Sequence, residues 1–153
     1  MSAIVDCYTC AQEAAFDRLP PRELIAADDH WRVAHAIGGA LPGWLVLLPR
    51  RHVTAIADLT DEEAAALGTW QVRLSRALAE VTGCAKTYVA QFAEAEGFSH
   101  VHFHVVPRMA DQPADRRGPA VFGYLTVAPD ERVPAHRMDE LAVELTRRLA
   151  AAG

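Results

Sequence analysis

The stretch SHVHFHVVPR, Ser99–Arg108, holds three histidines separated by single apolar residues: His100, His102 and His104. Successive side chains of a β-strand point to opposite faces of the sheet, at about 3.3 Å per residue. The alternation therefore predicts a strand with one face of imidazoles and a core-facing row of apolar side chains, Val101, Phe103 and Val105. Pro107 has no N–H for a ladder bond, so the strand is expected to end there.

Other segments predict an antiparallel α+β sandwich, because several strands follow one another with one long helix inserted between them. Apolar runs bounded by turn residues predict further strands at Trp31–Gly38, Trp44–Pro49 and Lys86–Ala93. The segment LTDEEAAALGTWQVRLSRALAEVTG predicts the long helix, with a capping box of Thr60 and Glu63 and a C-terminal stop at Gly83. MDELAVELTRRLAAA predicts a terminal amphipathic helix, and VFGYLTV predicts a short extended piece in a loop-rich region.

The composition is ordinary for a globular protein: 153 residues, of which 51% are hydrophobic and 23% charged. One domain over residues 1–153 is expected. A net charge of −5 argues against nucleic-acid and membrane-surface partners, because both need a basic face. No apolar run approaches the roughly 20 residues of a membrane span, and the N-terminus MSAIVDCYTC lacks a signal-peptide pattern, so a cytoplasmic location is expected.

The N-terminal segment contains a C-x2-C pair, Cys7 and Cys10. Two thiolates at this spacing chelate zinc, but a structural zinc site needs four tetrahedral ligands. Cys84 stands alone in the sequence, so the missing ligands are most simply histidines, namely His52 and one of the three at 100–104. A redox pair is the alternative, although no βαβ pattern of the thioredoxin kind surrounds the two cysteines.

Three interpretations of the histidine row compete. A merely solvated strand face is disfavoured by strict alternation of three of the chain's seven histidines. A metal centre ligated by all three is disfavoured because strand residues i and i+4 lie about 13 Å apart. Nucleophilic catalysis suits the spacing better: a neutral imidazole has a lone pair that attacks phosphorus, and neighbouring imidazoles contact the phosphate or donate a proton.

The residues His100-Val-His-Phe-His-Val-Val resemble the signature of the histidine triad (HIT) family, in which three histidines alternate with apolar residues. The resemblance covers residues 5–109 and includes Cys7-x2-Cys10, the stretch Pro42–His52 and the pair Pro107-Arg108. It implies a HIT-like fold: an antiparallel sheet of about five strands with one long helix and a C-terminal helix. Members are nucleotidyl hydrolases and transferases, usually homodimers, that act through a nucleotidyl-histidine intermediate.

The resemblance assigns catalytic roles by position. His102 matches the nucleophile, and His104 matches the histidine that contacts the phosphate. Ser99 and Arg108 flank these histidines and are expected to bind substrate. The implied activity is hydrolysis of P–N or P–O bonds, or nucleotidyl transfer, on nucleoside phosphoramidates or dinucleoside polyphosphates.

The resemblance also completes the metal site. In the zinc-containing members the ligands match Cys7, Cys10, His52 and His100. Four protein ligands leave no open position, so the implied Zn²⁺ is structural and the reaction requires no catalytic metal.

Departures from the family pattern leave the substrate open. Ala36 stands where members carry a ribose-binding Asp, and the segment before the histidines contains Gln91, Glu94 and Glu96. These changes favour, as an alternative, a catalytically weak HIT-fold protein that binds nucleotides or serves as a scaffold. A metal-centred oxygenase or hydrolase is a third possibility. The tryptophans are assigned to the core or to a dimer interface: Trp31, Trp44 and Trp70.

Overall fold

The computed structural model describes residues 6–152. Residues 1–5 and 153 lie outside that range, and the first five are part of the N-terminus that lacks a signal-peptide pattern. One antiparallel sheet has the strand order β1-β2-β3-β5-β4 and consists of β1 (Ala26–Ala27), β2 (Trp31–His35), β3 (Leu45–Pro49), β4 (Lys86–Ala90) and β5 (Phe103–Arg108). The helices are α1 (Tyr8–Ala14), α2 (Asp61–Thr82) and α3 (Ala135–Ala152). This arrangement confirms the predicted α+β class. None of the described helices combines the length and apolarity needed to span a membrane.

The central strand β3 organises the packing. It pairs with β2 on one side and with β5 on the other, where Leu45 lies opposite Val105 and Leu47 opposite Phe103. Leu45, Leu47 and Val105 are fully buried, and their face of the sheet packs against α2 and α3 to form the main core. Side chains of the alternate positions point to the second face of the sheet, where His104 lies.

The capping box of α2 is present as predicted. The Thr60 hydroxyl accepts from the Glu63 amide at 3.1 Å, and the Glu63 carboxylate accepts from the Thr60 amide at 2.8 Å. Gly83 ends the helix with φ = 71°, in the left-handed region that favours glycine. The buried face of the helix includes Trp70, Leu74 and Leu78.

The histidine strand begins later than predicted. Strand β5 starts at Phe103, so His100 and His102 precede the ladder, although Val101 is buried in the core as expected. The reason is the end of β3. Pro49 has no N–H to continue the pairing, and the amide of Val101 donates instead to the carbonyl of Val53 at 2.7 Å.

The same strand also ends later than predicted, because Pro107 lies inside it. The carbonyl of Arg108 accepts from the amide of Ala85, on the β4 side. Backbone polar groups alternate between the two edges of a strand, so the nitrogen of Pro107 faces the β3 side. The pairing with β3 stops at Val105, and the missing N–H therefore costs no ladder bond.

The predicted extended piece at VFGYLTV is wrong, because Val121–Leu125 of this segment lie in the 3₁₀ helix Gly118–Leu125. Pro119 suits the first turn of a helix, where its missing N–H is not needed. The 3₁₀ helix covers the second face of the sheet, with Val121 buried against Trp44 and Val106. The two-residue strand β1 was not predicted from the sequence.

Substitution of two exposed glycines, one within α2 and one at its C-terminal end, tests the C-cap at Gly83. An added Cβ meets no atom within 4 Å at Gly68 or at Gly83, so only the backbone conformation separates the two positions. Gly83→Ala is expected to lower the free energy of unfolding by about 1 kcal/mol, because Ala is strained at positive φ. Gly68→Ala is expected to raise it by about 0.5–1 kcal/mol. Urea denaturation checks both values, and equal effects of the two changes would contradict the assigned cap.

Candidate functional site

A cavity of about 410 Å³ lies on the second face of the sheet, within the size range of small-molecule sites. The sheet supplies a floor of small and apolar side chains: Ala34, Ala36, Val46 and Leu48. Loop 91–99 and the 3₁₀ helix supply an opposite wall: Phe92, Phe98, Phe122 and Leu125. His102 and His104 also line it. The cavity therefore has apolar floor and wall residues beside two imidazoles.

His102 is half-buried, and its ring is hydrogen-bonded to the backbone of His100. Its Nδ1 lies 2.8 Å from the carbonyl oxygen of His100. A carbonyl only accepts hydrogen bonds, so Nδ1 carries the proton and Nε2 of the neutral ring has the lone pair. This is the tautomer that nucleophilic attack through Nε2 requires.

His104 is buried, with 7% of its surface exposed. The indole Nε1–H of Trp44 donates to its Nδ1 at 2.9 Å. Edge-to-face contacts surround the ring, with centroid distances of 4.8 Å to His102 and 5.0 Å to Phe122. Burial, with a smaller contribution from His102, lowers the pKa of His104 to about 4.

A second cluster lies at the start of α1. Single ligand atoms of four residues lie within 4.8 Å of one another: Cys7, Cys10, His52 and His100. The Sγ of Cys10 is 3.2 Å from Nδ1 of His52 and 3.7 Å from Nδ1 of His100. This is a possible Cys2His2 metal site, assembled from the four residues predicted as ligands.

The protonation chemistry of the cluster suits a cation. His100 Nε2 donates to the Pro49 carbonyl at 2.7 Å, which directs the Nδ1 lone pair towards the thiols. Burial lowers the pKa of His100 to about 4, so the ring is neutral at pH 7, as a metal ligand must be. Burial and the neighbouring Cys7 raise the pKa of the Cys10 thiol to about 11, and a bound cation would replace that proton.

The residues between the two cysteines connect this cluster to the cavity. Tyr8 and Thr9 both line the cavity. The Tyr8 hydroxyl donates to the buried Glu23 carboxylate at 2.7 Å, and its amide donates to the Gly97 carbonyl at 3.1 Å. Its ring packs on Phe98 with centroids 5.3 Å apart. The cysteine segment therefore forms part of the cavity wall.

A buried ion-pair network supports that wall. Arg32 is 1% exposed, and its Nη1 donates to the Glu23 carbonyl at 2.7 Å. Its guanidinium also pairs with the carboxylates of Glu13 at 3.3 Å and Glu23 at 3.5 Å. Arg50 pairs with the other oxygen of Glu13 at 2.9 Å. The two positive and two negative charges balance, so this end of the cavity is polar without a net charge.

Ser99 and Arg108, predicted to bind substrate, do not line the cavity. Ser99 is exposed, and Arg108 directs its Nη1 to the carbonyl of Met109 at 3.4 Å. The alternation that places Arg108 on the face of His104 also carries it past Val106, beyond the cavity. The substrate contact of these two residues stays a prediction.

Two of the positions that depart from the family pattern, Ala36 and Glu94, lie at the cavity. Ala36 lines it with a methyl group, and no carboxylate stands at that point of the floor. The neighbouring His35 is occupied at both ring nitrogens: Nδ1 donates to the Ala36 carbonyl and Nε2 accepts from the Gly43 amide. Glu94 lines the opposite wall, whereas Gln91 and Glu96 do not line the cavity.

Sequence reasoning missed several residues of this site, chiefly Trp44, Phe122 and Tyr8. Trp44 is buried, which confirms the predicted core position, but its indole also donates to His104, which was not predicted. The strand register contains a signal for it: Val46 lies opposite His104, and a residue two positions from Val46 shares its face. Phe122 and Tyr8 reach the site from distant segments, which no local pattern reveals.

Comparison with known proteins gives a consistent family. A model of the HIT domain matches residues 19–111, more than half of the chain. No curated protein sequence gives a significant match. Among solved structures, 67 chains match significantly.

Three of these structures illustrate the similarity. A zinc-bound histidine triad family protein from Mycobacterium smegmatis is 21% identical with a TM-score of 0.69, and the alignment covers 97% of this chain and 96% of that one. A histidine triad protein from Bradyrhizobium japonicum is 26% identical with a TM-score of 0.67, covering 89% and 93%. A hypothetical histidine triad nucleotide-binding protein from Sulfolobus tokodaii is 11% identical with a TM-score of 0.71, covering 95% and 93%.

The histidine row, the fold and the domain match agree with one another, and the similarity extends over most of the length of each compared structure. The chain belongs to the histidine triad (HIT) family.

Proposed function

We propose that this protein is a nucleotidyl hydrolase or transferase that acts through a covalent nucleotidyl-histidine intermediate on His102. The observation that carries this proposal is the 2.8 Å contact between Nδ1 of His102 and the His100 carbonyl. It leaves Nε2 of a cavity-lining imidazole as the nucleophilic nitrogen.

The reaction has two displacements. Nε2 of His102 attacks the phosphorus atom, a P–N bond forms, and the bond to the leaving group breaks with its electron pair. Water then attacks the same phosphorus, the electron pair of the P–N bond returns to Nε2, and the water loses a proton. In the transferase version another nucleophile takes the place of water. His104 lies beside His102, at a ring-centroid distance of 4.8 Å, where it contacts the phosphoryl group.

A nucleotide is the ligand class that we assign to the cavity. Its volume of about 410 Å³ suits a small organic molecule, and its aromatic wall suits a base or another planar group. The structure from Sulfolobus tokodaii is named as nucleotide-binding, which supports this class for a protein of the same fold.

Intact-mass spectrometry tests the intermediate. Wild type is incubated with diadenosine tetraphosphate and, separately, with adenosine 5′-phosphoramidate, and quenched during turnover. We expect an adenylyl adduct with at least one substrate, and His102→Ala should lose both adduct and turnover, by about 10⁴-fold or more. His136→Ala, an exposed histidine on α3, is the matched control and should behave as wild type. Full turnover by His102→Ala would refute the proposed nucleophile.

A binding or scaffold protein of weak activity is the second candidate. The observation that favours it is the methyl group of Ala36 where relatives carry a ribose-binding carboxylate, together with Glu94 on the opposite wall. An anionic phosphate close to Glu94 is repelled unless that carboxylate turns away. Nucleotide binding by calorimetry without an adduct or turnover would establish this candidate.

We further propose that the Cys2His2 cluster holds a structural Zn²⁺. Zinc–sulfur and zinc–nitrogen bonds in a tetrahedron place S and N about 3.6 Å apart. The Sγ of Cys7 and Nδ1 of His100 are 3.6 Å apart, so the donor set and its spacing fit. Such an ion cross-links α1 to the residues before β5. The compared structure from Mycobacterium smegmatis is described as zinc-bound, which supports the choice of metal.

Metal analysis tests the cluster. Wild type should contain about one zinc per chain, and Cys10→Ser should contain much less, with a thermal midpoint lower by several degrees. Cys84→Ser is the matched control, because Cys84 is a free cysteine outside the cluster, and it should retain the ion. Equal zinc contents in the two variants would contradict the assignment.

We also propose that the protein forms a homodimer. The cytoplasmic location predicted from the sequence is part of the same proposal. Strand β4 is an edge of the sheet, and Val89 on it, Val72 on α2 and the adjacent Phe92 are exposed by 44%, 49% and 61%. Exposed apolar side chains beside a free strand edge favour association. Sedimentation velocity should give a dimer for wild type and a monomer for Val89→Lys. A monomeric wild type at micromolar concentration would refute the dimer.

A further inference from the structure

Trp44 determines where His104 carries its proton. An indole N–H donates a hydrogen bond and never accepts one, so at 2.9 Å the Nδ1 of His104 must be the acceptor. The proton of the neutral ring then lies on Nε2. His102 has the opposite arrangement, because a carbonyl accepts from its Nδ1. One imidazole of the pair presents a lone pair at Nε2, and the other presents an N–H.

The imidazolium form of His104 is opposed by the same contact. A second proton would have to sit on Nδ1, where it would face the N–H of Trp44. Three further neighbours are apolar: Val46 and Ala90 lie opposite His104 on the flanking strands, and Phe122 covers the ring. The titratable side chains that share the cavity are Tyr8, Glu23, Arg32, His35, Glu94 and His102. Of these, His102 is in ring contact, and a positive charge there also disfavours a charged His104.

We propose that Trp44 is a positioning residue that holds His104 as a neutral Nε2–H donor, so that His104 stabilises the phosphoryl oxygen and does not protonate the leaving group. This role rests on the proposed attack by His102. The low pKa of His104 agrees with it, since the ring is uncharged throughout the neutral range. Neutral imidazole is an effective hydrogen-bond donor to developing negative charge.

The consequence is a choice of substrate class. With no imidazolium to supply a proton, the leaving group must depart as a stable anion. In the first displacement the P–N bond to His102 forms, the P–O bond breaks, and the electron pair leaves on an oxygen such as that of a phosphate or a phenolate. Phosphoanhydrides and aryl phosphates satisfy this condition. Phosphoramidates of alkylamines do not, because the nitrogen must first gain a proton.

A leaving-group series tests the substrate class. For adenosine 5′-aryl phosphates with phenol pKa values of about 4 to 10, kcat/KM of wild type should fall about 100-fold or more across the series. The N-alkyl phosphoramidate should be slower than the nitrophenyl ester by a similar factor at pH 7.5. The pH profile of kcat/KM should rise to a plateau. It should not fall again near neutrality, as it would if the reaction needed a protonated acidic group. A flat series, a fast phosphoramidate or a bell-shaped profile would overturn the proposal.

Nitrogen-15 NMR of histidine-labelled protein tests the proton position without any turnover. In wild type His104 should give the neutral Nε2–H signature from pH 5.5 to 8, and Trp44→Phe should remove this preference while keeping the ring packing. Trp70→Phe is the matched control: it also removes an indole donor, which bonds Asp28 at 2.8 Å on the other face of the sheet, and should leave the His104 signals unchanged. An imidazolium or Nδ1–H signature in wild type at pH 7 would refute the role of Trp44.

Different results would reject the covalent mechanism on His102 and the proposed role of Trp44. Absence of any adduct or turnover in wild type would reject the covalent mechanism, and with it the choice of leaving group, while the NMR spectrum would still decide the tautomer of His104. An adduct formed from the phosphoramidate but not from the anhydride or aryl esters would support the nucleophile and reject the leaving-group class.

Discussion

The hydrogen bond from the ring of His102 to the carbonyl of His100 is the constraint on which the site depends. It sets the tautomer of His102, and its acceptor belongs to His100, whose ring has contacts at both nitrogens. One nitrogen bonds the end of β3 at Pro49, and the other faces the thiols of the N-terminal cluster. The proposed nucleophile is thus oriented by the sheet and by the Cys2His2 cluster together.

The alternation of side chains along β5 places core residues on one face of the sheet and His104 on the other. Phe103 and Val105 enter the core against the two long helices, whereas His104 enters the cavity. The register with β3 places Val46 opposite His104, and Trp44, which directly precedes β3, donates to His104 from the same side. A shift of one residue would exchange the two faces and place both imidazoles of the cavity in the core, so the apolar packing enforces the register of the site.

Much of this architecture is predictable because its causes are local. The capping box at Thr60, the stop at Gly83 and the apolar face of α2 depend on residues within a few turns of one another, and all three are present. The four residues of the metal cluster were predicted from the family resemblance, and the structure brings them together.

The remainder depends on contacts between distant segments. The start of β5 at Phe103 follows from the missing N–H of Pro49, 54 positions earlier in the chain. Ser99 and Arg108 flank the histidines in sequence but not around the cavity. The bond from Trp44 spans 60 residues, and its signal lies in the pairing register of β3 with β5, which local sequence does not reveal. Closeness in sequence therefore identifies the histidines of the proposed reaction, but it does not identify the residues that contact them.

The cavity wall has a further consequence. The proposed reacting histidines lie inside the region that matches the shared domain, residues 19–111, but Tyr8 and Thr9 precede that region and Phe122 and Leu125 follow it. The matched region thus contains the two histidines of the proposed reaction, and the segments on either side of it contribute to the wall of the cavity. We expect ligand preference to differ between members through these flanks, so exchanging the flanks between two members would transfer ligand selectivity and leave His102 and His104 in place.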